Sequence, residues 1–344
     1  MNKLSQLHFN ILLIITFFLS TLGCSQKTNE SGDQSIMDKS NLVSGEAWAI
    51  AYSGFRLGQH PDRGDGAKNP SESDIIEDLD ILKKEGFKLI RMYDCDQNTQ
   101  DTLRIIKEKK YPIKVLLGVW LDAEVSNHEG CGWLTEPIPA DELEENKISN
   151  QNEIQAAKNL CNLYKDIIIG VNVGNECMVS WNDHMNTEEG VINYIRELRS
   201  GIKQPITTAE PYYWWRDVGQ NVANELDFLG VHVYPLWEGQ SFENSIEYTI
   251  NGIKDVINLY PDKKIAVLEA GWATTATEFG ERASESYQKQ YYNGLKKWAI
   301  ENNVTVFFFE AFDEPWKGES DEPNAAEKNW GIYFENRSPK LVLQ

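Results

Sequence analysis

The sequence predicts a (β/α)8 barrel, a TIM barrel, in a single catalytic domain of residues 46–344. Three observations lead there. Ile167-Ile168-Ile169-Gly170-Val171 opens an apolar run that suits the centre of a parallel sheet, and it continues through Gly174 and Asn175 into a carboxylate, Glu176. Ile265-Ala266-Val267-Leu268 is a second such run, ending on Glu269. Between and around these runs, short apolar stretches alternate with stretches of helical spacing, the pattern of parallel strands joined by helices. The two glutamates lie 93 positions apart, room for three strand–helix units of about 30 residues each. Both fall at strand carboxyl ends, where barrel enzymes keep their chemistry.

The elements follow in order. Residues 1–23 read as an export signal: Lys3 gives a positive start, and Ile11 to Leu19 is far shorter than the ~20 residues a spanning helix needs. Thr21-Leu22-Gly23-Cys24 resembles a bacterial lipoprotein signal, which would make Cys24 the lipidated first residue. Residues 24–45 are rich in Ser, Asn, Lys, Asp and Gln and read as a flexible tether. Ala47 to Tyr52 is the first strand. Ser71 is placed to cap a helix running to Lys84. Lys88 to Asp94 is the second strand, and Arg91 inside it needs a carboxylate partner. Ile113 to Val119 is the third. The Glu-rich stretch from Trp120 to Ile148 reads as a long loop forming a cleft wall. Helical spacing from Glu153 to Tyr164 then leads into the fourth strand. Thr187-Glu188-Glu189 starts a helix to Arg199. Pro205 to Ala209 is the fifth strand, followed by Pro211-Tyr212-Tyr213-Trp214-Trp215, aromatics read as a stacking surface for a ligand. Leu226 to Tyr234 is the sixth strand. After the seventh come a helix from Ser284 to Asn302 and the eighth strand, Val304 to Phe309.

Composition narrows the partners. A formal charge of −20 argues against nucleic acid, an anionic membrane surface or a polyanionic polysaccharide, and fits a neutral ligand. Cys95, Cys131, Cys161 and Cys177 permit three disulfide pairings, and free buried thiols are equally compatible. No Cys/His spacing suggests a metal, and no cofactor motif is present.

Two strand-end carboxylates facing one cleft are the equipment for glycoside hydrolysis. Val173-Gly174-Asn175-Glu176 and Glu269-Ala270-Gly271-Trp272 resemble the acid/base and nucleophile motifs of glycoside hydrolase family 17, the β-1,3-glucanase family. Arg91-Met92-Tyr93-Asp94, Tyr234-Pro235, Glu310 to Lys317 and Glu327 to Tyr333 resemble further segments of that family, in its order. The resemblance covers Ala47 to Tyr333. It implies a retaining glycosidase with Glu176 as acid/base and Glu269 as nucleophile, acting on neutral β-glucans of the laminarin type. Asn175 would bind the sugar 2-hydroxyl and Tyr234 the nucleophile, while Glu314, Lys317 and Glu327 would support the cleft. Tyr52, Asp94, Trp214, Trp215, Trp237 and Trp272 complete the expected substrate contacts. A transglycosylase would use the same residues, and a non-catalytic glycan-binding lipoprotein is the reading from another class. The expected state is a monomer, exported and held to a bacterial membrane only through its lipid.

Overall fold

The computed structural model describes residues 41–62, 66–318 and 321–344. Eight parallel strands close into a barrel in sequence order: β1 Trp48–Ala51, β2 Leu89–Arg91, β3 Lys114–Val119, β4 Ile168–Asn175, β5 Ile206–Pro211, β6 Phe228–His232, β7 Lys264–Gly271 and β8 Val306–Phe309. Around them lie α1 Glu72–Lys84, α2 Gln97–Lys109, α3 Ala140–Leu163, α4 Glu188–Arg199, the short α5 Tyr212–Asp217 and α6 Gln220–Glu225, α7 Phe242–Leu259 and α8 Glu285–Asn302. Three of the helix starts carry side-chain caps. Ser71 and Asp74 form a reciprocal capping box on α1, Thr187 accepts from Gly190 N at α4, and Ser284 accepts from Tyr287 N at α8.

The barrel interior is filled, with Ala49, Leu89, Leu116, Ala209, Phe228, Ala266, Leu268 and Phe307 packed together. A larger apolar layer joins the outer strand faces to the helices. Register shifts interrupt the pairing between Asn172 and Asn175, between Val231 and His232, and between Val267 and Ala270. These three lie toward the carboxyl rim; a fourth, between Val115 and Leu116, lies near the amino end of β3. Such irregularities re-aim side chains: Leu268 packs in the interior while its neighbour Glu269 reaches the rim.

Two boundaries differ from the sequence reading. The stretch read as a loop to Ile148 becomes helical at Ala140. Pro139 precedes this first turn and Asp141 and Glu142 occupy it, where the helix dipole favours negative charge. Its buried face begins only at Asn150, so no apolar period marks the early turns. The expected tether also ends sooner. Asn41 O accepts from Thr305 N, Asn41 Oδ1 accepts from Ile265 N at 3.1 Å, and Val43 N donates to Thr305 Oγ1 at 2.7 Å. Residues 41–43 thus dock at the amino ends of β7 and β8, and Val43 packs against the barrel interior. The expected signal, Cys24 and the tether up to residue 40 lie outside the described residues. Cys95, Cys131, Cys161 and Cys177 are buried and free. No helix among the described residues is long and apolar enough to cross a membrane.

Candidate active site

The site begins with backbone geometry at the end of β4. Gly174 has φ +75, and a Cβ there would lie 2.4 Å from Cys177 Sγ. Two residues on, Glu176 itself has φ 51, a left-handed conformation that costs a non-glycine residue about 1–3 kcal/mol. Two hydrogen bonds hold it there: Glu176 N donates to Ala209 O at 2.8 Å, and Asn182 Nδ2 donates to Glu176 O at 3.1 Å.

Glu269, on β7, is almost fully buried and faces a ring of donors. Arg91 Nη1 donates to its Oε1 at 2.8 Å, Tyr93 Oη to Oε1 at 2.9 Å, and Tyr234 Oη to Oε2 at 2.5 Å. Burial alone would raise its pKa. The neighbouring His232 and Arg91, with the two tyrosine hydroxyls, reverse that and hold the carboxyl below its ordinary value. Burial and the charge of Glu269 push both tyrosines well up, so they stay protonated as donors. Arg91 also donates through Nη2 to Asn175 Oδ1 at 2.5 Å. A guanidinium only donates, so the Asn175 carboxamide presents its oxygen to Arg91 and has its NH₂ free for a ligand.

His232 joins the two glutamates. Its Nε2 lies 3.2 Å from Arg91 Nη1, so Nε2 must accept and the ring proton sits on Nδ1. Nδ1–H then donates to Glu176 Oε1 at 2.9 Å and stands 3.6 Å from Glu269 Oε2. Those two carboxylate oxygens are therefore separated by at most 2.9 and 3.6 Å together, about 6.5 Å, on the short side of the range for paired glycosidase carboxyls.

Past β8, a second group of charges forms one wall. Lys317 Nζ lies 2.7 Å from Glu314 Oε2 and 3.2 Å from Glu310 Oε2, over the Phe309 ring. Burial alone would lower the Lys317 pKa, but Glu310, Glu314 and Glu327 raise it, so it stays cationic. Burial pushes Glu327 to about 7, with Lys317 opposing and the charges of Glu269 and Glu176 adding. The structure thus brings Glu176, Glu269, Asn175, Tyr234, Glu327 and the Lys317 pair into one electrostatic neighbourhood. It adds Tyr93, His232 and Glu310, which sequence reasoning passed over. Glu310 carried a usable signal, since like Glu269 it directly follows an apolar run.

Several expected contacts fall elsewhere. Trp215 is fully buried with Nε1 donating to Gly230 O, and Trp214 packs edge-on against it. Both belong to the core because α5 turns them inward rather than over the cleft. Trp272 is likewise buried among Phe242, Tyr287 and Tyr291, its Nε1 on Arg282 O. The buried Tyr52 spends its hydroxyl on Asp78 of α1. Asp94 accepts from Thr99 Oγ1 and Asp96 N at the start of α2; Arg91 and Tyr93 share the opposite side of the chain, and both reach Glu269. Trp237 is 41% exposed against Phe279 and remains available to a ligand. Among the described residues, no cluster of His, Cys, Asp and Glu could hold a metal ion.

A carboxyl on α3 steadies the site's far loops. Glu153 Oε1 accepts from Cys95 N at 2.7 Å and from Trp120 N at 3.4 Å, tying the segments after β2 and β3 together. Burial, then the charge of Asp94, pushes its pKa from 4.5 to about 8. A carboxyl raised on folding contributes stability fully below its unfolded pKa, and loses that contribution as pH rises through the folded value. Glu153→Gln keeps the acceptor oxygen and cannot ionise. It should therefore raise Tm more at about pH 8 than at about pH 5, with a difference of about 1–2 kcal/mol after allowance for partial exposure. A Tm difference from wild type that is the same at both pH values would contradict this.

A barrel whose carboxyl rim presents a donor-held glutamate beside a second glutamate is the framework of a glycoside hydrolase. Residues 49–331 match the BtgE/BtgC glycoside hydrolase domain, and the chain belongs to that family. It is 26% identical over 314 residues to a glucan 1,3-beta-glucosidase of Arthroderma benhamiae, covering 86% of this chain and 91% of that one. A glucan 1,3-beta-glucosidase of Schizosaccharomyces pombe is 31% identical over 156 residues, 42% of this chain and 46% of its own length. The chain spans 38% of the length of its btgC relative from Aspergillus flavus. Among solved structures, an endo-laminarinase from Formosa Hel1_33_131 superposes with a TM-score of 0.74 at 23% identity, covering 89% of this chain and 87% of that one. A glycoside hydrolase family 17 beta-1,3-glucanosyltransferase from Rhizomucor miehei gives 0.65 at 20% identity, covering 88% of this chain and 97% of that one. At these identities the two superpositions speak to the fold.

Proposed function

We propose that this glycoside hydrolase cleaves β-1,3-glucosidic bonds in neutral β-glucans of the laminarin type, with retention of configuration. The observation that carries the reading is the His232-bridged pair: Glu269 held ionised by Arg91, Tyr93 and Tyr234, and Glu176 set close beside it. Glu269 attacks the anomeric carbon while Glu176 protonates the departing oxygen. Water then enters with Glu176 as base, and the glycosyl–Glu269 bond breaks. Asn175 directs its free NH₂ to the sugar 2-hydroxyl, a bond that strengthens in the transition state. Relatives named as glucan 1,3-beta-glucosidases support the linkage, and the charge of −20 favours a neutral polymer. Laminarin should be shortened and cellulose left nearly untouched; equal turnover of the two would overturn the linkage.

The alternative is glucanosyl transfer, in which a second sugar takes the place of water. The Rhizomucor miehei structure, named as such a transferase, favours keeping it. Longer products from laminari-oligosaccharides would establish it. Export as a monomeric lipoprotein anchored through Cys24 completes the reading. Its test is fractionation in a Gram-negative host, where Cys24→Ser should release the protein; equal membrane association of the variant would exclude lipidation as the anchor.

With Trp214 and Trp215 in the core, stacking passes to Trp181 and Trp237. Trp181 is 37% exposed and donates through Nε1 to Tyr213 Oη at 3.1 Å. Tyr213 in turn lies near enough to Glu176 for that carboxylate, after burial, to help raise its hydroxyl to about 12. This supports reading Trp181 on the same side of the cleft as Glu176. Trp181→Ala should raise KM roughly 5- to 30-fold on oligosaccharides, about 1–2 kcal/mol of stacking, with little change in kcat. An unchanged KM would remove Trp181 from the substrate path.

A further inference from the structure

Glu210 is a carboxyl with no assigned task. It sits near the end of β5, paired in register with Val231, beside Ala209, whose carbonyl receives the Glu176 N–H. It is fully buried. Its Oε1 accepts from Met178 N at 3.0 Å, the Cys177 backbone N–H also faces the carboxyl, and its Oε2 is enclosed without a hydrogen bond of good geometry. The titratable groups around it are Glu176 and Cys177 after β4, Tyr213 on α5 and, one register position on, His232 of β6. Neither lysine nor arginine is among them. An ionised carboxylate with one bare buried oxygen and no cation is a costly arrangement; the neutral acid is not. Burial and the charge of Glu176 both push the Glu210 pKa well up, in agreement with the geometry.

We infer that Glu210 is a positioning residue for Glu176, held as a neutral acid whose oxygen clamps the Met178 N–H. Met178 is two residues beyond Glu176, so the clamp fixes the turn that keeps Glu176 left-handed. A neutral group does this without adding another negative charge to a pocket that already holds Glu176 and Glu269. The inference rests on the reading of Glu176 as proton donor.

Two measurements test it. Infrared difference spectroscopy between wild type and Glu210→Gln at neutral pH should show loss of a protonated carboxyl band. Loss of carboxylate bands instead would overturn the proposal. This readout needs no turnover, so it is separable from failure of the glycosidase reading, which wild-type activity on laminarin decides. In kinetics, Glu210→Gln keeps a neutral acceptor for Met178 and should retain kcat within about threefold, with the basic limb of the kcat/KM pH profile in place. Glu210→Ala should lower kcat at least about tenfold, part of the 10²–10⁴ that general acid–base help supplies, with KM little changed. The loss should be smaller on an aryl glycoside whose leaving group needs no proton. Glu210→Asp, which draws the carboxyl back by one methylene, serves if the alanine variant does not fold. A downward shift of the basic limb in Glu210→Gln, or equal losses on both substrates in Glu210→Ala or Glu210→Asp, would overturn the assignment.

Discussion

Glu269→Ala should abolish hydrolysis of natural substrate, by at least about 10⁴-fold, the scale lost when a nucleophile is deleted from a site whose members act as a unit. No leaving group should rescue it, because no glycosyl–enzyme bond can form. The cause is local and chemical. Arg91, Tyr93 and Tyr234 all direct donors at this one carboxylate, and none of them offers a replacement nucleophile. Added azide fits the space vacated by the side chain and should attack the anomeric carbon directly, giving an α-azide. The variant should still fold, since Arg91 retains Asn175 Oδ1 and Leu268 O as acceptors. Recovery of activity on an aryl glycoside without added nucleophile would contradict the assignment of Glu269.

Glu176→Ala should fail differently. On laminarin the loss is that of the general acid, about 10²–10⁴-fold. An aryl β-glycoside of laminaribiose leaves without a proton, so it should still glycosylate Glu269. Water then lacks its base and the covalent intermediate should accumulate, visible as a mass increment on the protein. Azide needs no base and should restore turnover with a β-azide product. His232 Nδ1–H loses its acceptor in this variant, a secondary cost within a fully buried ring. An α-azide from Glu176→Ala, or a β-azide from Glu269→Ala, would mean that the two roles are reversed.

The barrel and its two glutamates were legible because strands buried on both faces leave continuous apolar runs, and a carboxylate ending such a run stands out. Arg91 was legible for a related reason: a guanidinium inside an apolar strand must have a partner, and Glu269 is that partner. The aromatics were not. Trp214, Trp215 and Trp272 follow strand ends in sequence, but position along the chain does not give the direction of a side chain, and α5 and the turn after β7 send all three into the core. Tyr93 and His232 were passed over because their roles depend on register shifts and on a tautomer set by Arg91, neither of which leaves a local pattern. The first turns of α3 were hidden by their polarity, and the docking of Asn41 depends on backbone partners more than 200 positions away.

The anomer first released from a laminari-oligosaccharide tests the retaining pair most directly. The Glu176 and Glu269 oxygens that face His232 Nδ1 at 2.9 and 3.6 Å are at most about 6.5 Å apart, and retention requires the two carboxyls close enough for Glu269 itself, rather than water, to attack. Proton NMR on wild-type enzyme, read before the sugar mutarotates, should show the β-anomer at the newly formed reducing end. Release of the α-anomer would contradict the mechanism proposed for these two carboxylates.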